Sequence, residues 1–325
     1  MGTHRTTTLL LTGLLVSATV AAQTTAAEYP ARTITVVVPY TVGGGSDNIA
    51  RLVTSRITAR TGKIIVIDNR GGAGTNIGNE YVARAQPDGY TYLLGQFTLS
   101  VNPALYAGLR YSPEKDLAPV VHIADTPTVL AVGAAFPAGD AKALLDKARA
   151  APGALNYGSG GAGSPPHLSG ELLQTLTGLK FVHVPYKGSA QAITDVIAGQ
   201  LDFIIDTSTS VVPQIRGGKL RALAVAGTQR LAELPDVPTF AELGVKGMEV
   251  PAWYGFLAPT GTPEFAVRWL NTQVNEVLRE PGFNERLQQM GAIAVGGTPE
   301  QFDRFMRAQT ARWSAAIRQA NIRLE

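Results

Sequence analysis

A short β-branched run, a glycine-rich loop, then a serine or threonine opening an amphipathic stretch: this unit recurs along the chain and limits its fold more than any other feature. Thr33–Pro39 leads to Gly43-Gly44-Gly45, and Ser46 then supplies a helix N-cap before Ile49, Leu52, Val53 and Ile57 at helical spacing. Ile64–Asp68 leads to Gly71-Gly72-Ala73-Gly74 and a short helix carrying Ile77, Tyr81 and Val82. The turn Pro87-Asp88-Gly89 opens a third strand, Tyr90–Gly95. Strand, glycine turn, helix, strand is the order of an α/β fold, a parallel sheet covered by helices.

The pattern restarts downstream. Val120–Val132 is an apolar run long enough to cross between two lobes, and a helix near Ala141–Ala150 precedes the strand Leu155–Tyr157 and the loop Gly158–Gly163. Ser164 caps a helix with Pro165 at its first position and Leu168, Leu172, Leu173 and Leu176 on one face. Strand Phe181–Pro185, helix Ala190–Ala198 and strands Asp202–Asp206 and Leu220–Ala226 complete the second lobe. Val250–Ala258 is a second candidate crossing strand, and two amphipathic helices follow, the last opened by the capping box Thr298-Pro299-Glu300-Gln301. The expectation is two α/β lobes joined by two strands around a cleft, with 28–127 and 251–325 forming lobe 1 and 128–250 forming lobe 2.

Residues 1–27 read as a secretory signal, with His4 and Arg5 before the apolar run Leu9–Ala22 and small residues up to Ala27, where cleavage is expected. The remainder is then an exported protein. Its 28 Lys+Arg against 25 Asp+Glu, never clustered in runs longer than two basic residues, give no footprint for nucleic acid. The chain has no cysteine, which excludes disulfides, thiolate metal sites and cysteine nucleophiles. Monomer is the default oligomeric state.

Four helix entrances combine glycine with a hydroxyl residue: Gly45-Ser46, Gly74-Thr75, Gly163-Ser164 and Gly188-Ser189. The first N–H groups of a helix lack internal partners and sit at the positive end of its dipole, so such ends bind anions without lysine or arginine. Gly158–Gly163 matches the dinucleotide pattern GxGxxG, but the acidic residue expected at the end of the next strand is missing, since that strand ends Pro185-Tyr186-Lys187. No P-loop, HExxH or GxSxG occurs, so no cofactor and no metal is expected. Ser164 and His167, close in a helix start, leave an exported serine hydrolase open as an alternative; the other account of His167 is packing near a helix end. Asp206, ending a strand, could pair with a ligand ammonium, accept from a ligand hydroxyl or cap the turn at Thr207-Ser208. Tyr40, Phe97, Tyr157, Tyr186 and Trp253 could pack on a ligand or belong to the core.

Several blocks in order resemble the Bug family, the periplasmic receptors of tripartite tricarboxylate transporters. They include Tyr29-Pro30-Ala31-Arg32, Gly43–Asp47, Asn69–Gly74, Gln86–Thr91, Asn156–Ser159, His167-Leu168, His183–Gly188, Gly199–Asp202, Arg221–Val225, Pro235–Thr239 and Leu257–Pro259. The resemblance implies a two-lobed periplasmic binding protein, type II-like, a Venus flytrap that captures a small carboxylate and delivers it to a membrane permease without catalysis. A sensory partner of a membrane receptor would use the same clamshell. It further implies that the loops Tyr40–Asp47 and Ser159–Ser164 pinch the carboxylate while Ser189 and Asp206 read the remainder. The residues expected to bind ligand are therefore Tyr40, Thr41, Gly44, Ser46, Asp47, Thr75, Phe97, Ser159, Gly160, Ser164, His167, Ser189 and Asp206. One departure is Tyr40-Thr41-Val42 where the family commonly has Phe-Ala-Ala, adding two hydroxyls at the mouth.

Overall fold

A computed structural model describes residue 2 and residues 28–319, so the expected leader falls, residue 2 apart, outside the described residues. In chain order the elements are β1 (Ile34–Val38), α1 (Gly45–Thr61), β2 (Ile65–Asn69), a 3₁₀ turn (Ala73–Thr75), α2 (Asn76–Ala83), β3 (Thr91–Gln96), α3 (Thr98–Leu105), α4 (Pro113–Asp116) and β4 (Leu117–Gly133). Then come α5 (Ala141–Ala150), β5 (Asn156–Ser159), α6 (Pro165–Thr177), β6 (Val182–Pro185), α7 (Ser189–Ile197), β7 (Phe203–Thr207), α8 (Ser208–Arg216) and β8 (Leu220–Ala226). The chain continues through β9 (Pro251–Pro259), α9 (Glu264–Leu278), α10 (Pro281–Gln289), β10 (Ile293–Ala294) and α11 (Pro299–Gln319).

One strand ties two sheets together. Along Leu117–Pro127, β4 pairs antiparallel with β9; from Thr128 to Gly133 it pairs with β7 on one side and β8 on the other. The first sheet has the order β2-β1-β3-β9-β4 and the second β4-β7-β5-β6, with β1, β2 and β3 parallel to each other and β5 parallel to β6 and β7. A run of 17 residues with Val120, Val121, Ile123, Val129, Leu130 and Val132 fully buried can only be a strand covered on both faces. The return crossing is sharper. The Val250 N–H still donates to Ala226 O in the second sheet at 3.3 Å, while β9 from Pro251 onward pairs with β4 and β3 in the first.

Side-chain alternation explains which helices cover which face. In the first sheet Val36 and Val38 pack with Ile49, Val53 and Leu270 under α1 and α9, and Val37 packs with Phe302 and Trp313 of α11 on the other side. In the second, Leu130 and Val132 face α5 and α6, and Val129 and Ala131 face α7 and α8. Helices α3 and α8 carry Pro103 and Pro213 internally and follow their strands without a glycine loop, so the signal that marks the other helices does not mark these two.

Candidate functional site

The ends of β1, β3 and β7 and the first turns of α1, α6 and α7 converge between the two sheets. A cavity of about 40 Å³ there is lined from the first lobe by Tyr40, Thr41, Gly44, Gly45, Ser46, Gln96 and Tyr254. The second lobe contributes Ser164, Pro165, Pro166, Gly188, Ser189, Ala190, Asp206, Thr207 and Ser210. At roughly 10–15 Å³ per enclosed water, this cavity has room for only a few water-sized groups.

The helix entrances differ from one another. The N-cap of α1 is Gly44, not Ser46, and it makes no side-chain cap; the Ser46 hydroxyl instead donates to Gln96 Oε1 at 3.1 Å. The N-cap of α7 is Gly188, again without a side-chain cap. Both helices therefore bring uncapped first turns to the cavity, one from each lobe. The α6 entrance is weaker than the sequence suggests, because Pro165 and Pro166 occupy its first positions and have no N–H to offer. At α2, Thr75 donates to Thr98 Oγ1 at 2.9 Å and does not line the cavity.

Glycine sets how closely the lobes approach. A Cβ on Gly45 would lie 2.5 Å from Thr209 Oγ1, and one on Gly188 would lie 2.8 Å from Thr41 Oγ1. Both clashes are between lobes.

Asp206 is the charged side chain among the described lining residues, and no lysine, arginine or histidine accompanies it. It is 1% exposed. Oδ1 accepts the Thr207 N–H at 2.6 Å, whereas Oδ2 has no partner. Burial pushes its carboxyl up to about 6, against the opposing pull of the Ser189 hydroxyl and the Thr207 N–H and hydroxyl. Burial likewise raises Tyr40 and Tyr254, which remain neutral phenols, the latter sharing a hydrogen bond with Thr209 at 3.2 Å.

Of the thirteen residues expected from sequence, the cavity gathers Tyr40, Thr41, Gly44, Ser46, Ser164, Ser189 and Asp206. The others stand behind it. Asp47 is buried, and although burial opposes its charge, Arg51, the Gly43 N–H and Asn69 hold its carboxyl below the usual range, so it braces the Gly43 loop. Phe97 packs edge-on against Trp313, and a Cβ on Gly160 would lie 3.0 Å from Ser189 Oγ. Ser159 Oγ meets His183 Nε2 at 2.6 Å, and His167 stacks on His183 with ring centroids 4.3 Å apart.

His167 Nδ1 accepts the Gly163 N–H at 3.0 Å, and the Ser164 hydroxyl donates to Gly161 O at 2.6 Å. These two residues therefore do not form the serine–histidine pair that the hydrolase alternative required. Among the described residues no cluster of three His, Asp or Glu could hold a metal ion.

Gln96 and Tyr254 line the cavity but escape sequence reasoning. Gln96 is the polar end of the otherwise apolar strand TYLLGQ, which was a usable signal. Tyr254 was obscured by its neighbour: Trp253, considered as a ligand platform, is buried against Phe302 at 5.4 Å, and alternation turns Tyr254 to the cleft. Tyr157, whose hydroxyl bonds Glu171 at 2.9 Å, also belongs to the interior.

The model of the tripartite tricarboxylate transporter family receptors, TctC, matches residues 49–322. The chain belongs to the TctC family. It is 34% identical to protein BugT of Bordetella pertussis over 325 residues, covering 99% of this chain and 100% of that one. Among solved structures it is similar to Rpa4515 of R. palustris with adipate, at 38% identity and a TM-score of 0.88, covering 91% of this chain and 100% of that one. It is also similar to MatC from Rhodopseudomonas palustris with bound malate, at 34% identity and a TM-score of 0.83, covering 89% and 100%. TctC proteins are receptors, and the two uncapped helix starts facing one cleft are a receptor's equipment in this chain.

Proposed function

We propose that this TctC protein is an exported, non-catalytic receptor that captures a small carboxylate between its lobes in the periplasm and delivers it to a tripartite transporter permease. The observation that carries the reading is the meeting of the α1 and α7 starts, from opposite lobes, at a buried cleft whose described lining holds no cation. Peptide N–H groups and helix dipoles hold a carboxylate without a lysine or arginine, and an anion shared by both lobes favours the closed form. The adipate in Rpa4515 and the malate in MatC support the ligand class. In this reading residues 1–27 are a cleaved signal, 28–127 with 251–325 and 128–250 move as the two lobes, and the receptor acts as a monomer.

A thermal-shift screen over mono-, di- and tricarboxylates tests the reading. Binding only the folded state at a hundredfold excess over Kd stabilises by about 2.7 kcal/mol, which raises the melting temperature measurably. No shift from any carboxylate contradicts it.

A further inference from the structure

Two side-chain atoms at the cleft lack partners, and they are opposite in character. Asp206 Oδ2 is an acceptor on the second lobe, and Gln96 Nε2 is a donor on the first. Their residues are 1% and 5% exposed. The other end of each side chain is engaged, Asp206 Oδ1 with Thr207 N–H and Gln96 Oε1 with the Ser46 hydroxyl. Of the neighbouring hydroxyls, Thr207 is committed to Ser210 at 2.9 Å, Ser164 to Gly161 O at 2.6 Å and Tyr254 to Thr209 at 3.2 Å, while that of Ser189 pulls on the Asp206 carboxyl. Native proteins leave few buried polar atoms unpaired, so a donor and an acceptor lining one interlobe cleft point to a ligand group that answers both.

We infer that the ligand carries, besides its carboxylate, a hydroxyl group that links the lobes, donating to Asp206 Oδ2 and accepting from Gln96 Nε2. The inference rests on the carboxylate reading above and narrows it to hydroxy acids. A ligand hydroxyl does both jobs with one oxygen. An ammonium only donates and leaves the Gln96 N–H unanswered. A second carboxylate only accepts, and it would set a like charge against Asp206 with no cation among the described lining residues to offset it. Both residues line the same cavity of about 40 Å³. Discrimination then follows from absence: an analogue without the hydroxyl leaves both side chains buried and unpaired, which is the strongest form of selectivity a polar site achieves.

Titration calorimetry of the wild-type protein with matched pairs decides the matter: malate and succinate, lactate and propionate, 3-hydroxybutyrate and butyrate, 2-hydroxyadipate and adipate. In each pair that binds, the hydroxylated member is expected to bind at least about tenfold more tightly. Gln96→Met and Asp206→Asn, checked for a single cooperative melting transition, are each expected to bring that preference below about threefold. A deoxy acid that binds the wild type as tightly as its hydroxy partner overturns the inference and leaves the carboxylate reading standing. The same holds if no acid of these pairs binds while another carboxylate without a hydroxyl does. Binding of no carboxylate at all removes both.

Discussion

The buried carboxyl of Asp206 costs stability at neutral pH. Its carboxyl titrates near 6 in the folded protein and at 3.8 in the ordinary range, so between these values the folded state holds a proton that the unfolded state has lost. Stability from this group is therefore full below about pH 4 and is lost as pH rises toward 6. At 1.36 kcal/mol per unit, the cost at neutral pH is about 3 kcal/mol. Asp206→Asn keeps an acceptor for the Thr207 N–H and removes the ionisation, so it is expected to raise the denaturant midpoint at pH 7.5 and leave it unchanged at pH 4. His167 and His183 act in the opposite sense, since burial holds both down to about 4. Their contribution is present above pH 6.5 and lost as pH falls toward 4, so the substitution at Asp206 also steepens acid unfolding. The place of Asp206 and Ser189 in the cavity lining was legible because strand ends and helix starts are local signals. That of Gln96 and Tyr254 was less so, because it depends on the lobe packed opposite them.

At the scale of elements, the first turns of α1 and α7 line one cavity, and glycine lets them meet. Gly45→Ala sets a Cβ 2.5 Å from the buried Thr209 Oγ1, so it is expected to hold the lobes apart. It should weaken carboxylate affinity at least about tenfold while shifting the melting temperature of the ligand-free protein little, because binding energy realised only on closure is lost. Thr209→Ala in the same chain removes the obstructing oxygen and is expected to restore part of the affinity. His167→Ala, in contrast, is expected to destabilise by about 2–3 kcal/mol, since it removes a buried ring that accepts the Gly163 N–H and stacks on His183. The glycine-loop unit revealed most strands and helices because it is written in adjacent residues. It overstated the α6 entrance, where Pro165 and Pro166 remove the donors the pattern promised, and it missed α3 and α8, which have no glycine loop before them and a proline inside.

At the scale of the whole molecule, β4 joins the two sheets. It belongs to both sheets, changing partners between Pro127 and Thr128, and the chain returns in one step at Val250 and Pro251. Ligand held at both lobes is expected to reduce the radius of gyration in small-angle scattering and to slow amide exchange in the Tyr40–Ser46 and Gly188–Ala190 loops together. The two-lobed plan was legible because an apolar run as long as Val120–Val132 has few other uses. That the closed cleft leaves only about 40 Å³ was not, because a gap between lobes is set by side chains far apart in sequence. A near-neutral chain rich in glycine suits a receptor that must hold an anion and then release it, since backbone N–H groups grip without a fixed cation. The most direct test is a crystal structure with the tightest-binding carboxylate of the thermal-shift panel. The account predicts carboxylate oxygens about 3 Å from backbone N–H groups in the first turns of both α1 and α7, with no lysine or arginine in contact. A carboxylate held by one lobe alone, or by a cationic side chain outside the cleft, would contradict it.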